Sequence, residues 1–266
     1  MTLEEANRLA AVIDAIGTDA LGPAIDALLR AKLAFEMSCG YLFKFNQHAL
    51  LVHNGYNDSV SERTLNAYVR GGYLLDPFYV ACVNEHPGGL WRMSELAPDS
   101  FYASGFSISK DIHPCVSSDY GTSVEEVGFI IALRPQVAVV YSLMRNFSSG
   151  SFSEDDMQVL AAMAPVLASV LGQHCRLRYA DYLRDAPAEG GVLEDAFVEI
   201  LQGQLTETQR YIAKLLLQGH SNASIARQLN ISDGTVKVHK HNIYQRLEIS
   251  TNAELFRLFI DYLAKA

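Results

Sequence analysis

Four cysteines in 266 residues (Cys39, Cys82, Cys115, Cys175) form no CxxC pair and no metal-ligand spacing. A disulfide framework and a zinc site are thereby excluded as organising features, and reduced thiols are expected. Catalytic motifs are missing as well: the chain contains no GxSxG, no HExxH, no P-loop and no glycine-rich dinucleotide loop. His48, His53, His86 and His113 show no ligand spacing. His113 lies near Cys115, but nothing around the pair orients a base, and "IHPC" reads as a loop. No catalytic residue, no metal and no cofactor is expected, so an enzyme is the weaker class. No apolar run approaches the roughly 18 residues that span a bilayer. Glu4 and Glu5 stand where an export signal carries positive charge. A cytoplasmic protein without a membrane partner is expected, which makes Asn-x-Ser triplets such as those at Asn57, Asn146 and Asn222 chance matches.

What is present is uneven. The formal charge is -9, yet from Gln204 onward eight Lys and Arg face five Asp and Glu, a net of +3 that leaves -12 for the preceding 203 residues. Overall acidity therefore does not argue against a nucleic-acid partner. Apolar periodicity is interrupted at "RDAPAEGG", Arg184 to Gly191, which marks a linker. The expected organisation is an α+β sensor domain over residues 1–183, a linker with a short lead-in helix over 184–203, and an all-α helix-turn-helix domain over 204–266.

In the first part, helices are expected from Leu3 to Ile16, over "GPAIDALLRAKLAFEM", "SERTLNAYVRG" and "DPFYVACVNEH", and from Ser153 through "EDDMQVLAAMAPVLASVLGQHCRLR", with Pro165 as a candidate kink. "CGYLFKFN" with "ALLVHNG" and "VEEVGFIIALRP" with "QVAVVYSLMR" read as two strand pairs. The result is an antiparallel sheet of four or five strands flanked by helices.

The tail reads as four helices. Thr206 with Gln209 and Thr251 with Glu254 are capping-box patterns, Ser221 and Ser232 are N-caps, and Gly219 is a stop. Two of these helices are joined by "NIS", as a helix-turn-helix requires. On the helix after Ser232, the spacing of Val236, Ile243 and Leu247 gives one buried stripe. Gly234, Lys237, Val238 and His241 then fall on the opposite face, with Lys240 and Gln245 beside it. Lysine can donate to guanine, valine can touch a thymine methyl, and lysine or histidine can hold phosphate. With Ser232 and Thr235 at its first turn, this helix is the candidate DNA reader. A plain solvated basic face is the alternative.

The run from Leu205 to Leu255 strongly resembles the LuxR-type DNA-binding domain through "LT", "G-x-SN", "IA-x-x-L", "IS-x-x-TVK-x-H" and "NIY-x-x-L". The resemblance implies that Lys237, Val238 and His241 read DNA. It also implies that the last helix pairs two subunits through Leu255, Leu258, Phe259 and Tyr262. A homodimer on a double-stranded operator is expected, with RNA polymerase as a candidate partner. The sequence departs from the family at Thr208 and Gln209, where Arg-Glu is usual.

The first part is similar to the small-molecule sensors that precede such tails. "YLLDPFYVACVNEHPGGLW" looks like the Tyr, Asp-Pro and Trp stretch of acyl-homoserine-lactone receptors, although the upstream Asn-Tyr-Pro…Trp element is missing and Trp91 is the chain's single tryptophan. Other segments are more similar to regulators with GAF- or PAS-like sensors. Tyr73, Phe78, Tyr79, Trp91, Phe101, Tyr102 and Phe106 lie near Asp76 in sequence, with Glu125 and Glu126 opening a later strand. A carboxylate among aromatic rings suits an ammonium ligand. Asp76 before Pro77 is equally suited to a helix cap. An amine effector, a lactone and a protein partner are the three alternatives.

Overall fold

Several helix starts in this chain follow hydroxyl side chains. Thr2 and Ser153 each accept the N–H three residues on, and Glu5 and Asp156 return the bond, closing two capping boxes. The computed structural model describes residues 2–45, 47–58, 60–103, 124–146, 149–184 and 204–263. The expected lead-in helix before residue 204, Phe106, His113 and Cys115 lie outside the described residues. Two compact units are formed, each discontinuous in sequence. The first contains Met1–Val60, Ala81–Glu95 and Ser123–Glu189, and the second Ser61–Val80, Leu96–Thr122 and Gly190–Ala266.

The first unit is built on a five-stranded antiparallel sheet in the order β2-β1-β5-β4-β3. Its strands are β1 (Met37–Lys44), β2 (Leu50–Gly55), β3 (Gly89–Arg92), β4 (Val124–Arg134) and β5 (Val137–Asn146). Alternation of the pleat puts Leu42, Phe129, Val139, Tyr141 and Leu143 in a single core. Helices α1 (Leu3–Asp14), α2 (Leu21–Arg30) and α6 (Glu154–Arg178) supply the rest of that core through Val12, Ile25, Leu29, Leu160, Leu167 and Leu171. Each fully buried Leu or Val contributes about 1.5–3 kcal/mol. Helix α6 is long and apolar enough to cross a membrane by length and composition, and here its Leu160, Leu167 and Leu171 pack into the core of the unit. It runs unbroken through Pro165.

Two expectations need correction. Helix α2 stops at Arg30 instead of running on to Met37, because the chain is drawn into β1, where Met37 already pairs with Met144 of β5. The short strand β3, with Trp91 opposite Gly128, was not foreseen; four residues are too few to show a period.

A buried polar cluster ties α2 to the sheet. Asp26 accepts from Ser38 Oγ and Tyr141 OH, both at 2.7 Å, and His53 Nε2 stands 3.0 Å from Ser38 Oγ and 3.3 Å from Asp26. One ring nitrogen faces both partners, whereas a nucleophile relay needs the two nitrogens on opposite tasks. The set is a structural network. Burial pushes the Asp26 carboxyl up, but the bonds from His53, Ser38 and Tyr141 outweigh it and hold it below the usual range. Gly22 makes room: a Cβ there would come within 1.9 Å of the His53 ring.

The second unit contains α3 (Glu62–Arg70), α4 (Pro77–Val83, shared with the first unit beyond Val80) and the four helices of the tail: α8 (Glu207–Leu217), α9 (Asn222–Leu229), α10 (Asp233–Leu247) and α11 (Asn252–Leu263). Short helices α5 (Met93–Leu96) and α7 (Ala180–Leu183) complete the count among the described residues.

Candidate functional site

The tail is assembled by its caps. Thr206 and Gln209 close the capping box of α8, and Arg246 near the end of α10 donates to the same Gln209 Oε1 at 3.0 Å. Gln209 thus serves where the sequence departs from the LuxR pattern. Ser221 caps α9 and Ser232 caps α10. Between them Asn230 takes the left-handed conformation (φ 53°), which short polar side chains tolerate, and ends α9 sharply. The turn from Asn230 to Ser232 sets the two helices of the motif.

Burial orients α10. Val236 and Ile243 are fully buried and Leu247 is half-buried, while Gly234, Thr235, Lys237, Val238, His241 and Gln245 are exposed. Val238 is 59% exposed, an apolar side chain left in water. Lys237 holds Asp233 one turn back at 2.6 Å. Lys240 is half-buried with its Nζ 5.5 Å from the Tyr244 ring centre, and burial lowers its pKa. The helix therefore has a core face and a solvent face carrying Lys, Val and His.

The last helix divides differently from the sequence stripe. Leu255 and Phe259 are buried, at 2% and 1% exposure, in the chain's own core, whereas Leu258 is 38% exposed. As they stand, Leu255 and Phe259 are not offered to a second subunit. Tyr262 lies on α11, and its side chain is outside the described residues.

Of the candidate effector residues, Tyr73, Asp76, Phe78 and Tyr79 fall in the second unit and Trp91 and Glu126 in the first. Asp76 is buried; its Oδ1 accepts the Phe78 N–H at 2.7 Å and its Oδ2 the Tyr68 hydroxyl at 2.5 Å. It is thus the N-cap of α4, with Pro77 at the first helical position. Tyr68, Tyr73 and Tyr79 are buried, with edge-to-face contacts from Tyr73 to Tyr68 (6.4 Å) and to Tyr79 (4.9 Å). Trp91 gives its N–H to the Pro87 carbonyl and meets the His86 ring edge-on at 4.3 Å. Glu126 is buried on β4, and Tyr102 is 39% exposed. Sequence reasoning missed Tyr68; a lone tyrosine eight residues before Asp76 carries no signal of that bond. It also missed Arg92, which pairs with Glu125 and Glu154. Among the described residues no group of His, Cys, Asp and Glu could hold a metal ion.

Comparison with known proteins agrees with the tail. Residues 203–259 match the family model described as bacterial regulatory proteins, luxR family. A protein described as an HTH-type transcriptional regulator in the exeN 3′ region of Aeromonas salmonicida is 28% identical over 199 residues, covering 72% of this chain and 96% of that one. YhjB of Escherichia coli, described likewise as an HTH-type transcriptional regulator, is 46% identical over 50 residues, 19% of this chain and 25% of its own length. The crystal structure of the VqsR LBD domain from Pseudomonas aeruginosa superposes with a TM-score of 0.55 at 15% identity, covering 66% of this chain and 99% of that domain, a likeness of fold. Residues 203–259 of this chain are thus a helix-turn-helix domain of the type described for bacterial regulatory proteins of the luxR family.

Proposed function

We propose that this regulator reads a two-fold symmetric operator as a homodimer, with α10 of each copy in the major groove and a small molecule bound in the N-terminal part controlling the outcome. The observation that carries the reading is the solvent face of α10, where exposed Lys237, Val238 and His241 stand opposite buried Val236 and Ile243. Lys237 and Val238 are assigned to base edges, His241, Lys240 and Gln245 to bases or phosphates, and Ser232 and Thr235 to the phosphate nearest the helix start. A dimer is required because one small helix-turn-helix makes too few contacts to be selective alone. RNA polymerase is the candidate further partner, the protein acts in the cytoplasm, and no chemical step is assigned to it.

The sensor reading is supported by the fold likeness to a domain named as an LBD and by the buried aromatic residues around Asp76. Tyr73, Phe78, Tyr79, Trp91, Tyr102, Phe106 and Glu126 remain the proposed effector residues. For the effector class, an amine is proposed through Asp76, with a lactone as the competing ligand. The decisive test of the DNA reading is selection of duplexes from a random library with the full chain, followed by a salt titration on the winning site. A selected consensus without two-fold symmetry, or no enrichment at all, would overturn it. Thermal shift over amines, amino alcohols and homoserine lactones tests the sensor, because a ligand of the native state raises apparent stability with saturation.

A further inference from the structure

Asp99 belongs to the stretch between β3 and β4, yet it is part of the same compact unit as the tail. Its Oδ1 accepts the Ser221 N–H at 2.9 Å and its Oδ2 the Ser221 hydroxyl at 2.5 Å. Ser221 is the N-cap of α9, so this carboxylate rests on the positive end of the first helix of the helix-turn-helix. The neighbouring residues extend the grip. Ser100 donates its N–H to the Gly219 carbonyl at 3.0 Å. Phe101 is fully buried and lies so close to Gly219 that a Cβ there would stand 2.6 Å from the Phe101 Cα. Gly219 also has φ +91°, so the position demands glycine twice over. The side-chain and backbone bonds from Ser221 lower the Asp99 pKa, and the nearby His220 and Arg227 act in the same direction. Separately, α3 of the same unit packs against α11. Segments that precede the tail in sequence thus hold it at two places.

When a helix-turn-helix docks, its first helix crosses the DNA backbone, and helix N-termini give their free N–H groups to phosphate. A carboxylate that takes the Ser221 N–H and hydroxyl, with His220 and Arg227 beside it, presents the same chemistry as that phosphate. Ser221 cannot serve both anions at once. We propose that Asp99 is an autoinhibitory clamp, an internal substitute for a DNA phosphate that must leave the start of α9 before the duplex can seat. The proposal rests on the DNA-binding reading and adds to it a means of control. Asp99 follows Trp91 by eight residues, so a short stretch of chain tethers the clamp to the strand that carries a candidate effector residue.

The test uses the full-length chain and its Asp99→Asn and Asp99→Ala variants on a fluorescent random-sequence duplex, with Asp261→Asn as a charge control on an exposed acid of the same unit. Apparent affinity scales with the competent fraction, so a clamp closed nine-tenths of the time gives about tenfold tighter binding when removed. Both Asp99 variants are expected to show that gain, the control is not, and the Ser221 amide is expected to exchange faster in Asp99→Ala without DNA. Unchanged or weaker binding by folded Asp99 variants, with wild type binding normally, would overturn the clamp. An equal gain in the control would overturn it too, as a general charge effect. Absence of binding by every form, including the tightest variant at low salt, would instead bring down the DNA reading itself.

Discussion

Lys237 shows how a magnitude decides a role. In the free chain it pairs with Asp233 one turn back on the helix surface. Such an exposed pair is worth about 0.3–0.5 kcal/mol, whereas a good contact to guanine is worth about 1–3 kcal/mol. On the proposed reading, DNA is therefore expected to displace the intrahelical partner. Lys237→Ala is expected to lose about 1–3 kcal/mol on a selected operator and much less on random sequence. Lys240→Ala is expected to weaken all duplexes alike and to reduce the salt slope by about one. Anisotropy titrations on both duplexes check this; normal operator binding by Lys237→Ala would place the reading face elsewhere. Asp76 is a second case. Its Oδ1 caps α4 and its Oδ2 takes the Tyr68 hydroxyl. Asn keeps the capping oxygen and loses the charge, while Ala removes both, at about 0.5–2 kcal/mol for the cap. Asp76→Asn is therefore expected to melt closer to wild type than Asp76→Ala. If the effector is an amine, Asn also abolishes its binding by calorimetry; retained binding of a cationic ligand would leave Asp76 as a cap alone.

At the scale of elements, caps are where sequence and structure speak the same language. Ser153, Thr206, Ser221 and Ser232 were readable because a hydroxyl before a polar first turn satisfies donors that the helix itself leaves without partners. The two long hairpins were readable from runs of Val, Ile, Leu and Tyr. By contrast, the end of α2 and the edge strand β3 are fixed by partners distant in sequence, Met144 for Met37 and Gly128 for Trp91. The exposed face of α10 followed from three apolar positions, but the Tyr68 bond to Asp76 and the Asp99 bond to Ser221 join residues with no periodic relation. The capping box of α6 yields a prediction in pH. Burial raises the Asp156 pKa, but the bonds from Ser153 and Arg145 outweigh it and the carboxyl lies below its usual range. A folded pKa below the unfolded one gives stability that is complete above the unfolded value, about 3.9, and is lost as pH falls through the folded value. Denaturant melts of wild type are therefore expected to weaken from about pH 4 downward, and Asp156→Asn to show a shallower decline over that range. An equally steep decline in the variant would assign the acid sensitivity to other carboxylates.

At the scale of the whole molecule, the proposed dimer needs a surface on which a second copy can be met. The sequence stripe on the last helix gave Leu255, Leu258, Phe259 and Tyr262 to that task, but Leu255 and Phe259 are buried inside the chain, where α11 packs on α8 and α3. Large-to-small changes at such buried positions cost about 2–5 kcal/mol in folding, so their effect on assembly cannot be separated from unfolding. Leu258 is different: it is 38% exposed, an apolar side chain with little to lose in the monomer. Burying it against a symmetric copy would recover about 25 cal/mol for each Å² removed from water, and a charge placed there would have to be buried unpaired. Leu258→Asp is accordingly expected to keep the circular dichroism and melting temperature of wild type while weakening dimer formation on a two-fold symmetric duplex about tenfold or more. Light scattering of the full chain at saturation on that duplex reads the stoichiometry directly. Two copies per duplex for wild type and one for the variant place Leu258 in the interface. Two copies for both, at equal affinity, would move the dimer contact off this face of α11.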